Sequence, residues 1–380
     1  MIDTVLVLNA GSSSLKFQVF RVGDLDVLAR GKAVRLGEPE PAMDASLADG
    51  TRERIALPSA CDHDTALAAV LAFVDRHDDA WRMKAVVHRI VHGAERFVDP
   101  VVVTPEVFAA LEALSPLAPL HQPHNLAAVT AARRLMGDVP NIACFDTAFH
   151  ARHDVLTHNF ALGQELRDKG IRRYGFHGLS YQWLEMVLAE QHPHLHAGRV
   201  VAAHLGNGAS LCAILGGRSI DTTMGMTALD GLPMGTRCGA LDAGAVLYMF
   251  QSLGMNAQEV SDALYERSGL LGLSGLSNDV ETLLKSDDPR ARFALDYFAL
   301  KVAQFAASMA AAIGGIDALV FTGGIGEHAA PLRDAIVERL RFLGAFEVIV
   351  IKANEERVMA LQATACLAGE EGLSLQRASS

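Results

Sequence analysis

Two strand–turn–strand patterns lie about half a chain apart, and they limit the possible folds more than any other feature of the sequence. The first covers residues 5–20 with its tip at 9–14, and the second covers residues 200–215 with its tip at 205–210. Short apolar runs separated by Gly, Ser and Asn are typical of β-hairpins. Two such hairpins at this spacing favour a duplicated domain.

The rest of the chain alternates between strand-like and helix-like patterns. Apolar periodicity predicts strands at residues 85–87, 141–145, 318–321 and 348–351, and helices at residues 65–77, 105–114, 243–253 and 291–312. Because strands alternate with helices, the predicted fold class is α/β. Residues 36–49 are rich in Pro, Gly, Ala and acidic residues, and we interpret them as an excursion on the surface.

Composition narrows the possible partners. The 380 residues are 50% hydrophobic, which favours two globular domains, and the formal net charge is −11 without a cluster of Lys or Arg. This charge argues against nucleic acid or an anionic membrane as the main partner. An anionic substrate would then need a locally basic cleft, which directs attention to single arginines in unusual settings.

Three features predict a cytoplasmic protein. No uncharged apolar run is long enough to span a membrane, and the first residues lack the basic and apolar regions of a secretory signal. The five cysteines lie far apart and form no CxxC pair, which fits a reduced compartment.

The first hairpin tip is a candidate phosphate site. It places hydroxyl groups and backbone N–H groups close to Lys16, which is what a phosphate or a magnesium-bound phosphate needs when no helix N-terminus is available. Asn, Gly and Ser also favour turns for local conformational reasons, so a plain turn remains the alternative.

A basic and an acidic residue occur in two apolar strands. Arg89 lies within an apolar run and must have an anionic partner, which could be a ligand or a core carboxylate. Asp146 ends a buried strand, where a carboxylate commonly holds a metal or acts as a base, although it could also cap a helix.

Three further segments carry candidate ligand-binding groups. His177 lies between glycine-flanked aromatic residues, and either ligand contact or a structural role fits it. Arg237 lies in a Gly-rich loop that could cover a ligand. The segment 322–327 follows a strand and is rich in glycine, so its backbone could approach a nucleotide.

Together, these segments resemble the acetate kinases and their relatives the propionate kinases, in order from residue 5 to about residue 366. The matching motifs are VLNAGSSSLKF at 7–17, HRIVHGAE at 88–95, PLHQPHN at 119–125, FDTAFH at 145–150, YGFHG at 174–178, HLGNGAS at 204–210, MGTR at 234–237, TGGIGE at 322–327 and NEE at 354–356.

The resemblance implies a duplicated actin/hexokinase-like (ribonuclease H-like) fold with an interdomain cleft. The first domain would comprise residues 1–146 completed by 352–380, and the second, nucleotide-binding domain would comprise residues 147–351. It also implies a homodimer that transfers the γ-phosphoryl group of ATP directly to acetate, giving acetyl phosphate and ADP. Mg²⁺, for which Mn²⁺ could substitute, would be the cofactor.

The resemblance also assigns roles to the matching residues. Catalysis would involve Arg89, Asp146, His177 and Arg237, and the acyl substrate would contact Arg89, Val91, Leu120, Phe176 and Ala228. Nucleotide and phosphate would contact Asn9, Ser12, Ser14, Lys16, His204, Asn207, Gly208, Asp279, Gly323, Gly324 and Gly326. Magnesium or its water shell would be held by Asn9, Asp146 and Glu355. A carboxylate nucleophile is already ionised at neutral pH, so no strong general base is required.

The sequence departs from the family pattern at two places. Asp279-Val280-Glu281 stands where the family usually has Asp-Phe-Arg, a segment that cradles adenine and ribose, so the loss of an aromatic and a basic side chain affects nucleotide contacts. Ala228 stands where a proline usually walls the methyl pocket, which predicts a roomier pocket that admits propionate. One methylene is worth only about 1–3 kcal/mol in such a pocket.

Other function classes fit the sequence less well. An actin- or chaperone-like ATPase would need a partner-binding appendage and no second arginine over a small pocket. A sugar kinase would need a general base for its hydroxyl acceptor and several polar residues, whereas Val91, Leu120 and Phe176 favour a small, methyl-bearing acceptor. A dinucleotide dehydrogenase would need a GxGxxG motif after the first strand.

Overall fold

The computed structural model describes residues 1–11, 13–77 and 81–369. They form two compact units, which are treated separately below. Unit 1 comprises Met1–Ala148 and the described residues from Asn354 onward, and unit 2 comprises Phe149–Ala353.

The strands belong to two sheets, one in each unit. They are β1 (Ile2–Ala10), β2 (Ser14–Arg21), β3 (Val27–Val34), β4 (Ala42–Leu47), β5 (Arg52–Ala56), β6 (Trp81–Ile90), β7 (Val101–Val102), β8 (Asn141–Phe145), β9 (Arg199–Leu205), β10 (Ala209–Leu215), β11 (Arg218–Thr222), β12 (Ala318–Thr322) and β13 (Glu347–Val350).

The α-helices vary from single turns to a 24-residue helix. They are α1 (His63–Asp75), α2 (Pro105–Glu112), α3 (Gln122–Met136), α4 (Val155–His158), α5 (Gln164–Arg167), α6 (Gly178–Gln191), α7 (Pro193–His196), α8 (Ala243–Gln251), α9 (Ala257–Tyr265), α10 (Gly269–Ser274), α11 (Val280–Leu284), α12 (Pro289–Ala312), α13 (Gly323–His328), α14 (Ala330–Arg339) and α15 (Glu355–Leu367). None of the helices in the described part of the chain is long and apolar enough to cross a membrane.

Five neighbouring strands of the unit 1 sheet, from β3 to β8, repeat the strand order of the unit 2 sheet. In unit 1 the order is β5-β4-β3-β2-β1-β6-β8-β7, and in unit 2 it is β11-β10-β9-β12-β13. In both, a hairpin and the next strand pair antiparallel, and the first hairpin strand also pairs parallel with a later strand, β6 or β12. A further parallel strand, β8 or β13, follows. The repeated order confirms the predicted duplication and the α/β class.

Helices cover the two faces of the unit 1 sheet differently. The main core lies between one face and helices α1 and α3, and includes Leu6, Phe17 and Phe73. Helix α15 packs against β1, β6 and β8, and the Sγ atom of Cys144 lies 4.0 Å from the carbonyl oxygen of Met359. Because Cys144 alternates with core-facing positions along its strand, α15 lies on the opposite face from α1 and α3.

The unit 2 sheet has its own core. Tyr181 and Leu184 of α6 pack against Val200, Cys212 and Val320 of three neighbouring strands, and all five side chains are buried. Helix α12 contacts β9, β10 and β11. Every strand and helix predicted above is confirmed, with ends that differ by a few residues.

The prediction for residues 36–49 was wrong. Residues 42–47 form β4, which pairs with both β3 and β5 inside the sheet. Met43 and Ala45 are buried in the core, whereas Asp44 and Ser46 alternate with them on the other face. This period of two was overlooked because Pro, Gly and acidic residues dominate the composition of the segment.

His88 in β6 makes unit 1 sensitive to acid. Its Nε2–H donates to Oδ1 of Asn141 at 2.7 Å, and within the described structure its buried Nδ1 atom has no hydrogen-bond partner. Burial lowers the pKa of His88 to about 4. The unfolded chain therefore binds a proton below pH 6.5 that the folded chain does not, so stability falls as the pH drops from 6.5 towards 4.

We expect the titration of His88 to lower the free energy of unfolding by about 2 kcal/mol when the pH falls from 6.5 to 5. Urea unfolding of the wild type and of His88→Gln at both pH values tests this, since the variant should lose less stability on acidification. His194→Gln, at an exposed position, is the control and should behave like the wild type. Equal losses in the wild type and in His88→Gln would contradict the assignment.

Candidate active site

Three polar side chains of unit 1 meet where parallel strands end. Asn9 is near the end of β1, Arg89 is near the end of β6, and Asp146 directly follows β8. Nε and Nη2 of Arg89 donate to Oδ1 and Oδ2 of Asp146 at 3.0 and 2.6 Å, and Nη1 donates to Oδ1 of Asn9 at 3.4 Å. The sequence left open whether the partner of Arg89 is a ligand or a core carboxylate. In the structure it is the carboxylate of Asp146, which forms a bidentate pair with Arg89.

A second carboxylate completes this unit 1 cluster. Glu355, the first residue of α15, places Oε2 3.4 Å from Nη1 of Arg89. Burial raises the pKa of the Asp146 carboxyl, the Arg89 guanidinium opposes this rise, and the Glu355 charge adds to it. Burial alone would lower the pKa of Arg89, but the carboxylates of Asp146 and Glu355 outweigh it and raise that pKa. The cluster therefore combines one fixed cation with two carboxylates.

Asn125 connects two of these strand ends, and the sequence analysis missed it. Its Nδ2 donates to the carbonyl of Ala10 at 2.8 Å, and its Oδ1 accepts from the backbone N–H of Val91 at 3.0 Å. The side chain is 2% exposed. The motif PLHQPHN contains this residue. The available signal was an amide side chain next to the run of apolar residues that forms the buried face of α3.

The other unit 1 candidates lie around this cluster or at its edge. The side chain of Val91 is buried, whereas Leu120 is 40% exposed just before α3. Ser14 begins β2, and Lys16 is exposed on β2 directly opposite Asn9. Ser12 lies outside the described residues.

In unit 2, His177 has an unusual backbone conformation. It precedes α6 with φ 57°, in the left-handed region. Gly175 has φ +80°, and a Cβ atom there would lie 2.6 Å from Thr222 and 2.7 Å from the ring of His150. His150 Nε2–H donates to the carbonyl of Phe176 at 2.9 Å. Glycine and a buried histidine therefore fix the backbone that presents His177.

A chain of hydrogen bonds sets the tautomer of His177. Tyr181 and Ser210 are fully buried, their hydroxyl oxygens are 2.6 Å apart, and Ser210 Oγ lies 2.8 Å from Nδ1 of His177. Burial raises the pKa of Tyr181, so its hydroxyl keeps the proton, and Ser210 Oγ is the acceptor that the described structure places within hydrogen-bond distance of it. The Tyr181 proton must then go to Ser210, and the Ser210 proton to Nδ1, because buried hydroxyl groups need acceptors. The His177 proton is thereby assigned to Nε2.

His177, Gly208 and Arg237 converge beside the second hairpin tip. A Cβ atom on Gly208 would lie 3.3 Å from Nε2 of His177 and 3.9 Å from Nη1 of Arg237. Nη1 of Arg237 donates to the carbonyl of Ala228 at 3.1 Å. The ring of His204 stacks on that of His177 with centroids 4.2 Å apart. The unit 2 cluster thus aims N–H donors and a guanidinium at one glycine, which suits an anionic group.

The remaining unit 2 candidates have local structural roles. Asp279 is the N-cap of α11 and accepts from the backbone N–H of Thr282 at 2.9 Å. Gly323, Gly324 and Gly326 lie in α13 and so form a helix start instead of an open turn. A Cβ atom on Gly323 would lie 2.7 Å from the carbonyl oxygen of Leu205, which explains the glycine.

Asn207 lies at the second hairpin tip. Its carbonyl accepts from the backbone N–H of Gly235 at 3.1 Å, and its Oδ1 lies 3.5 Å from Nδ2 of Asn278. These contacts connect the hairpin tip to the loop that carries Arg237 and to the segment before α11.

Comparisons with known proteins show which family the chain resembles. The model of the Acetokinase family matches residues 4–364. An acetate kinase of Rhodopseudomonas palustris (strain ATCC BAA-98 / CGA009) is 50% identical over 350 residues, covering 90% of this chain and 88% of that protein. Crystal structures of Porphyromonas gingivalis acetate kinase (33% identity, TM-score 0.84, 96% and 100% of the two chains) and of a Francisella tularensis propionate kinase (32%, 0.88, 95% and 98%) are similar in fold.

We expect nitrogen NMR of ¹⁵N-histidine-labelled protein to find the His177 proton on Nε2 above the pKa of the ring. Tyr181→Phe removes the hydroxyl group that forces Ser210 to donate, so the variant should show a mixture of tautomers. Tyr174→Phe, which removes a hydroxyl bonded to the Gly170 carbonyl, is the control. A wild-type signal with the proton on Nδ1 would disprove the assigned direction of the chain.

Proposed function

The chain belongs to the acetokinase family, and from that premise we propose that it is an acetate kinase. It transfers the γ-phosphoryl group of ATP to acetate, giving acetyl phosphate and ADP, and catalyses the reverse reaction. The fold is the duplicated actin/hexokinase-like fold of these enzymes. The observation that carries the proposal is the convergence of His177, Gly208 and Arg237, which leaves space and donors for a phosphoryl group.

The donors of unit 2 would stabilise the phosphoryl group as it transfers. Phosphoryl transfer passes through a loose transition state whose charge lies on the equatorial oxygens, so catalysis consists mainly of positioning and charge neutralisation. Arg237 offers a planar fork of N–H donors, and His177 offers the proton that the hydrogen-bond chain assigns to Nε2. A histidine held in this neutral form donates without first gaining a proton from water.

Arg89 in unit 1 would act on the carboxylate acceptor. Its guanidinium is fixed by Asp146 and Glu355, so little conformational entropy is lost when it binds an anion. Acetate is ionised at neutral pH and attacks in line with the leaving ADP. Asp146 therefore need not remove a proton, which fits its pairing with Arg89.

The unit 1 cluster also fits the expected Mg²⁺. Among the described residues, no group of three or more His, Cys, Asp or Glu side chains is placed to hold a metal ion. Mg²⁺ usually keeps several waters and takes only one or two carboxylates together with substrate phosphates, so Asp146, Glu355 and the amide oxygen of Asn9 are donors of the right type and number. When bound, the ion would neutralise charge on the phosphate oxygens.

Nucleotide contacts would depart from the family pattern at α11. Val280 is buried, and Glu281 forms an ion pair with Lys285 one turn later. Neither side chain supplies the aromatic face or the positive charge usual at these positions. We propose that Asp279 and the start of α13 contribute to the nucleotide site through backbone and cap geometry, and that discrimination between nucleotides is weak.

Propionate is the second candidate acceptor, and Ala228 is the observation that favours it. The Ala228 carbonyl holds Arg237, while its side chain is a single methyl group in place of a proline ring. Val91 and Phe176 are buried apolar candidates for the acyl pocket, and Leu120 is a partly exposed one. We propose that both acids are substrates, in the cytoplasm.

An apolar surface on unit 2 supports the proposed homodimer. Helix α8 contains no buried residue, yet most of its side chains are apolar. Exposed large hydrophobic side chains on and around it are Leu241, Leu247, Tyr248, Phe250 and Leu253. Contiguous apolar surface of this kind usually marks a protein interface. A second copy of the chain is the occupant that we propose.

We expect purified protein with MgATP to convert acetate and propionate to acyl phosphates, trapped as hydroxamates. Arg237→Ala should lower kcat by roughly 10²- to 10³-fold, because it removes charge stabilisation from the transferring group. Arg218→Ala, at an exposed arginine of β11, is the matched control and should keep full activity. A folded, nucleotide-binding protein that forms no acyl phosphate from any short acid would refute the proposal.

We expect sedimentation equilibrium to give twice the mass of one chain for the wild type. Leu247→Glu should shift the protein to monomers, because a carboxylate buried in an apolar interface is costly. Leu166→Glu, at an exposed position of α5 outside this surface, should leave the dimer intact. A monomeric wild type, or a dimer that tolerates Leu247→Glu, would rule out this interface.

A further inference from the structure

One face of the unit 1 sheet carries an ordered array of cationic side chains. Residues directly opposite each other on neighbouring strands share a face. The register places Lys16 on β2 opposite Lys32 on β3, and Lys32 opposite Asp44 on β4. Arg30 is two residues from Lys32 on β3 and therefore lies on the same face. It is opposite Ser46 on β4, which is itself opposite Arg52 on β5. Four cations therefore point from one face.

Carboxylates of the described residues leave these four cations without an ion-pair partner. Asp44 pairs with Arg54, with 3.3 Å between Nη1 and Oδ1, instead of with Lys32. Among the described side chains, Lys16, Arg30, Lys32 and Arg52 form no ion pair within 4 Å. Like charges directly opposite on neighbouring strands destabilise a sheet. The Lys16–Lys32 pair is thus an unfavourable arrangement within a chain that has an excess of acidic residues.

The same face remains open at this position. Helix α15 covers the face over β1, β6 and β8, and the antiparallel strands beyond β1 line a groove of about 690 Å³. Lys16, Arg30, Lys32 and Arg52 line it, with Glu356 of α15 among the other lining residues. Burial, and then the charge of Lys16, lowers the pKa of Lys32. A bound anion would relieve both the repulsion and part of this cost.

We propose that the groove, defined by Lys16, Arg30, Lys32 and Arg52, binds an oligophosphate anion. Neighbouring strands are about 4.8 Å apart and alternate residues on one strand about 6.6 Å apart, so Lys16, Lys32 and Arg30 can contact linked phosphate groups together. Lysine ammonium groups act as point charges, and arginine supplies a bidentate fork for phosphate oxygens. The proposal does not depend on the proposed acetate kinase reaction.

Calorimetric titration with inorganic pyrophosphate at low ionic strength tests the groove. We expect saturable binding that Lys32→Gln and Arg30→Gln each weaken roughly tenfold, because each loses a charge-assisted hydrogen bond. Arg134→Gln removes the same charge from α3, on the other side of the sheet, and should change the affinity less than twofold. Without ligand, Lys32→Gln should melt no earlier than the wild type, because it removes a like-charge contact. Pyrophosphate should raise the Tm of the wild type more than that of the variant.

Four results would overturn the proposal. Unchanged pyrophosphate affinity in Lys32→Gln would show that the lysine is not a ligand. An equal loss in Arg134→Gln would reduce the effect to overall charge. The third result comes from repeating the titration with saturating ADP. If ADP displaces pyrophosphate, and Lys32→Gln does not change the pyrophosphate affinity, the pyrophosphate binds at a nucleotide site. Sulfate that binds as tightly as pyrophosphate would refute the oligophosphate class.

Discussion

The parallel pairing of the first hairpin strand with a later strand is the constraint on which both clusters depend. In unit 1, β1, β6 and β8 run in the same direction, so their carboxyl ends meet at one edge of the sheet. Asn9, Arg89 and Asp146 come from positions far apart in the sequence, and this pairing brings them within hydrogen-bond distance. A purely antiparallel sheet would have placed alternate strand ends at opposite edges.

The same topology supplies different chemistry in unit 2. There, β9 and β12 place His204 opposite Thr322 at the corresponding edge, and the hairpin tip carries Gly208 beside His177 and Arg237. Unit 1 therefore offers carboxylates around one fixed arginine, which suits a metal ion and an acceptor anion. Unit 2 offers neutral and cationic donors, which suit a phosphoryl group. The two sheets therefore present corresponding edges that carry different side chains.

The sequence predicted the elements well because apolar periodicity reports burial directly. It failed for β4, where Met43 and Ala45 alternate with polar residues inside a stretch of turn-forming composition. Single residues with unusual settings, such as Arg89, could be identified, but their partners could not, since Glu355 reaches Arg89 only after the last helix returns to the sheet. Ser210, Tyr181 and Asn125 were missed for a related reason. A buried hydroxyl or amide looks like any other polar residue until its hydrogen-bond partners are known.

Local rules that the chain breaks indicate where function constrains it. His177 adopts a left-handed backbone conformation that costs a residue with a side chain about 1 kcal/mol or more. A buried tyrosine–serine–histidine chain is less favourable than apolar packing unless its members are satisfied, and here each of the two hydroxyl protons has one acceptor. The conformation and the chain together place the N–H group assigned to Nε2 next to Gly208, where any larger residue would intrude. No requirement of core packing explains that combination, whereas the role proposed for His177, as a neutral donor to the transferring phosphoryl group, would account for each part of it.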